Sequence, residues 1–155
     1  MNACLSRSAE NLSDVVGRLS PATNPLWKRR DITGDGKPET FCNQFLEAAL
    51  ELLEAPVPPG LLARQQIDWL DSGAGREAGW REMSRGLALA AAKAGQPVVV
   101  GWRNTDFKSS SHVALAIPTP FGEEFQIAQA GRENFNAGAL RRGFGVYPVR
   151  FWVHE

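Results

Sequence analysis

In the first two thirds of the chain, apolar residues recur at spacings of three and four, the pattern of amphipathic helices. This pattern predicts helices over residues 8–19, 42–54, 61–70 and 85–94. The second is the most regular, and its apolar face consists of Phe45, Leu46, Ala49, Leu50 and Leu53. Three prolines and a glycine within residues 56–60 end it.

Beyond residue 96 the pattern changes to short segments rich in β-forming residues and separated by turn clusters. Strands are predicted over residues 97–102, 112–117, 125–130 and 146–153. Helices followed by strands predict an α+β fold, with N-terminal helices packed on an antiparallel β-meander. We expect one domain over residues 1–155: an N-terminal helix and connector (1–30), then a core (31–155).

The composition narrows the classes of function. Seventeen basic and seventeen acidic residues give no net charge, so we expect neither nucleic acid nor a membrane as partner. No apolar run is long enough to span a bilayer, and the charged N-terminus lacks the apolar stretch of a signal peptide. The protein is therefore expected to be made in the cytoplasm. Two cysteines and two histidines form no disulfide framework and no zinc-binding spacing.

Cys42 lies where a polar loop becomes the second predicted helix. N–H groups in a first helical turn stabilise an anion, so this position predicts a thiol with a lowered pKa. The same groups suit the oxyanion of a tetrahedral intermediate. The alternative is a buried core cysteine, which position alone favours. Cys4, in the terminal segment, is the weaker candidate nucleophile.

His112 opens a predicted strand, and alternation places it on one face with Ala114 and Ala116. These small alanines leave room for the Cys42 helix, so we expect that helix to approach this face. A hairpin centred near Phe121 sets Gln129 opposite His112, where its amide can orient the imidazole. A one-residue slip would set Ala130 there instead. Gln126 and Asn134 are therefore reserve candidates, and a strand-end histidine bonded to a loop is the alternative for His112.

Three segments carry a family resemblance: Thr-Phe-Cys-Asn-Gln-Phe (40–45), Ser-His-Val-Ala-Leu (111–115) and Ala-Gln-Ala-Gly (128–131). Together with Gly-Gln-Pro-Val-Val-Val-Gly (95–101), they resemble the NlpC-like and CHAP-like cell-wall amidases and peptidases over residues 31–151. The resemblance implies a papain-like fold, with Cys42 as nucleophile, His112 as base and Gln129 as third member. Ser111 stands where this family usually has glycine, and Gln129 where it has His, Asn or Glu.

A candidate calcium loop precedes Cys42. Asp31, Thr33 and Asp35 occupy the first, third and fifth positions of such a loop, and Gly36 occupies the sixth. Glu39 is ninth, whereas the twelfth position, usually a bidentate glutamate, is Cys42. Some CHAP-like enzymes, which the chain resembles, bind calcium in an acidic loop before the cysteine. The alternative is a tight polar turn, and no other cofactor is expected.

The resemblance implies a peptidoglycan hydrolase that cleaves amide bonds of the peptide stem through a thioester. A phage lysin or a secreted interbacterial toxin fits, acting at the cell wall or periplasm after lysis or specialised secretion. A toxin would require an immunity protein that covers the Cys42 cleft. The second hypothesis is a papain-fold deamidase or acyl-transfer effector acting on a host protein. The third is a non-enzymatic binding module with Cys42 in its core.

Overall fold

The computed structural model describes residues 8–106, 110–118 and 124–155. Its helices are α1 (Ala9–Leu19), α2 (Cys42–Leu52), α3 (Ala63–Leu70), α4 (Gly73–Glu77), α5 (Arg85–Lys93) and α6 (Leu140–Phe144). Its strands are β1 (Trp80–Met83), β2 (Val98–Trp102), β3 (His112–Ile117), β4 (Gln126–Ala130), β5 (Asn134–Ala139) and β6 (Arg150–His154). The predicted α+β class is confirmed, and the four predicted helices are present with ends that differ by at most two residues.

Within the described residues the strands form one antiparallel sheet in the order β1-β6-β2-β3-β4-β5. The four predicted strands correspond to β2, β3, β4 and β6, and the sequence prediction missed β1, β5, α4 and α6. The last strand begins at Arg150 rather than Val146, because Gly145 and Pro148 interrupt an extended backbone before it. No helix in the described part of the chain is long and apolar enough to cross a membrane.

Helices cover both faces of the sheet. Residues of α1, α2 and α3 pack against Val99, Val113, Leu115 and Trp152 on one face. Residues of α5 and α6 pack against Val100, Ala114 and Ala116 on the other. The expectation that α2 approaches the alanine face of β3 is therefore wrong. The broad side chains of α2 fill space against equally broad partners, whereas the alanine-rich α5 packs closely on Ala114 and Ala116.

The start of α2 differs from those of three other helices. Ser8, Ser72 and Ser84 each cap a helix by accepting a hydrogen bond from a first-turn N–H. At α2 the preceding residue is Phe41, and no side chain caps the helix. Because an apolar residue cannot accept from the first-turn N–H groups, those donors stay available at the point where Cys42 stands.

Candidate active site

His112 and Gln129 form the best-defined polar contact of the site. The Nε2 atom of His112 lies 2.7 Å from Oε1 of Gln129, and Nε2 of Gln129 donates to the carbonyl oxygen of Glu133 at 2.9 Å. Gln129 is only 2% exposed, whereas His112 is half-buried at the start of β3. The structure thus brings the Gln129 amide to the imidazole, as the sequence predicted, although not by the predicted strand pairing.

The second hydrogen bond of Gln129 fixes which way its amide faces. The NH₂ group must point to the Glu133 carbonyl, which only accepts, so the amide oxygen points to His112. His112 therefore carries its hydrogen on Nε2 and donates it to Gln129. Nδ1 is then the unprotonated, basic nitrogen of the ring. A general base requires such an atom.

The strand register explains how Gln129 reaches His112. The hairpin prediction set Gln129 opposite His112 and Ile127 opposite Ala114. The structure instead pairs Ala116 with Ile127 and Leu115 with Ala128, a shift of two residues. Because side chains alternate with a period of two, this shift keeps Gln129 and His112 on one face. Gln129 is thus a diagonal neighbour of His112, and the turn predicted near Phe121 lies outside the described residues.

The two reserve candidates do not contact His112. The amide of Asn134 donates to the carbonyl oxygen of Trp27 at 2.8 Å, which ties β5 to the connector after α1. Gln126 pairs with Ile117 and Ala139 at the opposite end of β4 from Ala130. Gln129 is therefore the one of the three predicted polar residues that the structure brings to the imidazole.

Cys42 is the first residue of α2, and its side chain packs with Phe41, Phe45 and Val113 in the core beneath the sheet. Burial raises the pKa of the thiol, although N–H groups of Val113, Asn43 and Cys42 itself and the Thr40 side chain act in the opposite direction. The expectation of a lowered pKa is wrong. The predicted donors are present, but the cost of burying a thiolate at a site 5% exposed exceeds their effect.

The sulfur of Cys42 and the ring of His112 approach β3 from different sides. The Val113 N–H that acts on the sulfur belongs to the residue directly after His112. The His112 ring contacts Phe144 of α6, with ring centroids 4.7 Å apart, and its Cε1 atom faces Gly131. The structure thus brings Cys42 to the neighbouring backbone of His112, and direct contact between Sγ and Nδ1 stays a prediction.

Burial also affects the charge of His112. Desolvation lowers the pKa of the imidazole, and the hydrogen bond with Gln129 partly opposes this by favouring the charged form. The ring is therefore neutral at pH 7 and above. A neutral ring with a free Nδ1 is the state that can accept a proton from a thiol.

A buried glutamine that the sequence analysis missed stabilises the first turn of α2. Nε2 of Gln66 in α3 donates to the carbonyl oxygen of Asn43 at 3.0 Å, and the Asn43 amide donates to the carbonyl of Leu61 at 2.9 Å. Gln66 is fully buried, and its Oε1 atom has no partner among the described residues. The helical period placed Gln66 beside Ile67, but nothing in the sequence indicated that it would contact the cysteine helix.

The acidic loop before Cys42 gathers its predicted oxygen atoms. Carboxylate oxygens of Asp31, Asp35 and Glu39 lie within 4.8 Å of one another, and the Thr33 hydroxyl donates to Glu39 at 3.0 Å. Asp31 accepts from the N–H groups of Gly36 at 2.8 Å and Gly34 at 2.7 Å, and these bonds lower the pKa of its carboxyl group. Three carboxylates, two exposed and one half-buried, fit the ligand chemistry of calcium, and the hydrogen bonds fit a plain turn equally well.

Aromatic residues of the sheet and its surroundings fall into two groups. Trp80 and Phe135 are core residues. Trp102 is half-buried, pairs across the sheet with His112, and stacks on Tyr147 with ring centroids 3.9 Å apart. Tyr147 is 53% exposed. Since cross-strand partners share a face, the Trp102–Tyr147 stack borders the imidazole.

No protein-family model matches the chain, and no curated protein matches it.

Proposed function

We propose that the chain is a cysteine hydrolase with a papain-like fold, and that it cleaves amide bonds in the peptide stem of peptidoglycan. Cys42 is the nucleophile, His112 the general base and Gln129 the residue that orients the base. The order of a helix that begins at cysteine, a strand that begins at histidine and a following strand with the orienting residue supports the fold. Residues 40–45, 111–115 and 128–131, which resemble cell-wall hydrolases, support the substrate class.

One observation carries the proposal: the His112–Gln129–Glu133 hydrogen bonds leave Nδ1 as the basic nitrogen of the imidazole. In the proposed reaction the Cys42 sulfur, which packs on the opposite face of β3 from the imidazole, has to reach Nδ1, and Nδ1 takes the thiol proton as the sulfur attacks the scissile carbonyl carbon. The N–H groups at the uncapped start of α2 hold the resulting oxyanion. Collapse to a thioester breaks the C–N bond, and His112 returns the proton to the leaving amine. Water, deprotonated by His112, then hydrolyses the thioester and restores the thiol.

The pKa values of the two groups define the resting state. Burial raises the pKa of the Cys42 thiol and lowers the pKa of the His112 imidazole, so both groups are neutral at pH 7. The reactive thiolate therefore forms as the proton moves to His112 during attack, rather than existing beforehand as an ion pair. Proton transfer in the transition state is the step that a correctly oriented base accelerates.

The surroundings of His112 support an extended substrate. The Trp102–Tyr147 stack presents an exposed aromatic surface beside the imidazole, and such surfaces bind ring and apolar groups. We assign this stack to the substrate-binding surface. For a lysin or an interbacterial toxin the substrate is reached after lysis or specialised secretion, and a toxin's immunity protein would cover the same surface.

Burial of Cys42 favours a second candidate, the non-enzymatic binding module. A thiol that is 5% exposed and has a raised pKa has the properties of a core cysteine. In that case the His112–Gln129 bond is a structural contact at the end of the sheet. The two candidates differ in whether any reaction depends on the thiol.

The deciding experiment is digestion of purified sacculi, with mass spectrometry of the soluble fragments. The wild-type protein is compared with Cys42→Ala and, as the matched control, Cys4→Ala. Stem peptides released by wild type and Cys4→Ala but not by Cys42→Ala support the hydrolase. Intact sacculi together with a thiol-dependent change at a protein glutamine would indicate the deamidase or acyl-transfer effector. Absence of thiol-dependent chemistry on either substrate would leave the binding module.

A further inference from the structure

The short helix α6, which the sequence analysis did not predict, packs against the His112–Gln129 pair. An ideal Cβ atom built on Gly143 would lie 2.3 Å from Oε1 of Gln129, 3.2 Å from its Cδ atom and 2.6 Å from Cδ1 of Ile127. Two of these distances are shorter than real Cβ contacts. The Gln129 oxygen that accepts from His112 thus occupies the space that any side chain at position 143 would need.

The backbone at Gly143 gives no other reason for glycine. Gly143 is absent from the group of glycines with positive φ, whereas its neighbour Gly145 has φ of 58°. An alanine at position 143 would therefore suit the helical backbone better than glycine does. The missing side chain itself is what the site requires.

Gln129 cannot move aside without losing its hydrogen bonds. Its amide is held at one end by His112 and at the other by the carbonyl of Glu133. Gly131 closes the opposite side, where an ideal Cβ would lie 3.3 Å from Nε2 of Gln129 and 3.1 Å from Cε1 of His112. The ion pair between Arg142 and Glu133 ties α6 to the residue whose carbonyl holds the amide.

We propose that Gly143 is a positioning residue. Because it has no side chain, the Gln129 amide has room to lie against His112, and this contact keeps the imidazole in its Nε2–H form. The effect of Gly143 on the tautomer of His112 is independent of the proposed function, whereas its effect on catalysis rests on that function. A displaced Oε1 would leave Nε2 without its acceptor. The hydrogen would then be shared between the two ring nitrogens, and Nδ1 would no longer be reserved for the Cys42 thiol.

The test is Gly143→Ala, with Gly86→Ala as the matched control. Gly86 also lies in a helix, α5, and an added Cβ there meets nothing within 4 Å. Nitrogen-15 NMR of the two histidines at pH 8 gives the tautomer of His112, once His154→Gln identifies the signals. We expect the Nε2–H form in wild type and Gly86→Ala, and a mixed or Nδ1–H form in Gly143→Ala. If the enzyme is a hydrolase, kcat also falls on the order of 10- to 100-fold, the size expected from a misplaced catalytic group.

The methyl group introduced by Gly143→Ala would meet both Gln129 and Ile127. A double-variant cycle distinguishes the effect of its contact with Gln129 from that of its contact with Ile127. In a Gln129→Ala background the side chain that Gly143→Ala displaces is already gone. We therefore expect Gly143→Ala to change the His112 signals no further there. An unchanged tautomer in folded Gly143→Ala, or equal effects in both backgrounds, would overturn the proposal. If Gly143→Ala alone does not fold, recovery of folding in the double variant supports the clash with Gln129, and continued failure overturns it. A changed tautomer in a protein without hydrolase activity would support the positioning role and refute the proposed function.

Discussion

Replacing Gln129 with methionine tests the central hydrogen bonds of the site without opening a cavity. Methionine has nearly the same length as glutamine and is apolar, so it fills the space between Gly131 and Gly143. It can neither accept from Nε2 of His112 nor donate to the carbonyl of Glu133. The substitution therefore removes two hydrogen bonds and leaves the packing almost unchanged.

The two lost bonds differ in cost. Glu133 is exposed, so water replaces the Gln129 amide at its carbonyl at little cost. Among the described residues Gln129 is the hydrogen-bond partner of His112 Nε2, and the His112 ring packs beside Phe144 and Gly131. A buried donor left without its acceptor costs about 1–3 kcal/mol of unfolding free energy. For a chain of this size that corresponds to a fall in Tm of roughly 2–12 °C.

The matched control is Gln126→Met, the same change on the same strand. The side chain of Gln126 makes no hydrogen bond within the described part of the chain, and it is half-buried. Urea unfolding at pH 8, followed by tryptophan fluorescence, gives the free energy of unfolding of both variants. Equal stability losses in the two variants, within about 0.5 kcal/mol, would refute the assignment of the His112–Gln129 bond.

Three further predictions follow from the site. Because burial raises the pKa of the Cys42 thiol, iodoacetamide should alkylate Cys42 in folded Cys4→Ala protein at pH 7.5 far more slowly than in the same chain unfolded in urea, and equal rates would contradict the burial. The folded-state pKa of His112 is lowered, so the unfolded chain binds the proton first as pH falls. Stability should therefore be complete above pH 6.5 and decrease below it, and a His112→Gln variant should lose less over the same range. If the acidic loop binds calcium, calorimetric titration of metal-stripped protein should give a Kd on the order of 10⁻⁴ M or weaker that Asp35→Ala abolishes, whereas no heat at millimolar calcium would rule out the site.

The sequence was sufficient to predict the elements with a strong internal period. α2 has five apolar residues on one face, and in β3 valine, leucine and isoleucine alternate with alanine. β1 carries no such signal, because its Arg81 and Glu82 are exposed and only Trp80 is buried. Its backbone is extended because it pairs with β6, some seventy residues later in the chain. Such an element depends on a distant partner that local patterns do not contain.

For Cys42, the position at a helix start could be predicted from local sequence, whereas the pKa of its thiol depends on tertiary packing. Its place at the start of a helix was predicted from turn residues and apolar spacing, and the N–H donors that follow from that place are present. The direction of its pKa was wrong, because burial depends on which face of β3 the helix covers. Alternation defines two faces of β3, but it does not predict which face α2 packs on. That depends on the side-chain volumes of α2 and α5.

Gln129 was found despite a register that was wrong by two residues, and the same register shows why an asparagine would be too short at this position. A register shift by an even number keeps every side chain on its face, so alternation alone placed Gln129 with His112. The shift moves it from a directly opposite to a diagonal position, where side chains start about 7–8 Å apart at their Cα atoms. A glutamine has one methylene more than an asparagine and can cross that diagonal, as the 2.7 Å contact with His112 shows. This reach distinguishes glutamine from asparagine, one of the side chains usual in the family that the chain resembles, and Gly143 provides the space for it.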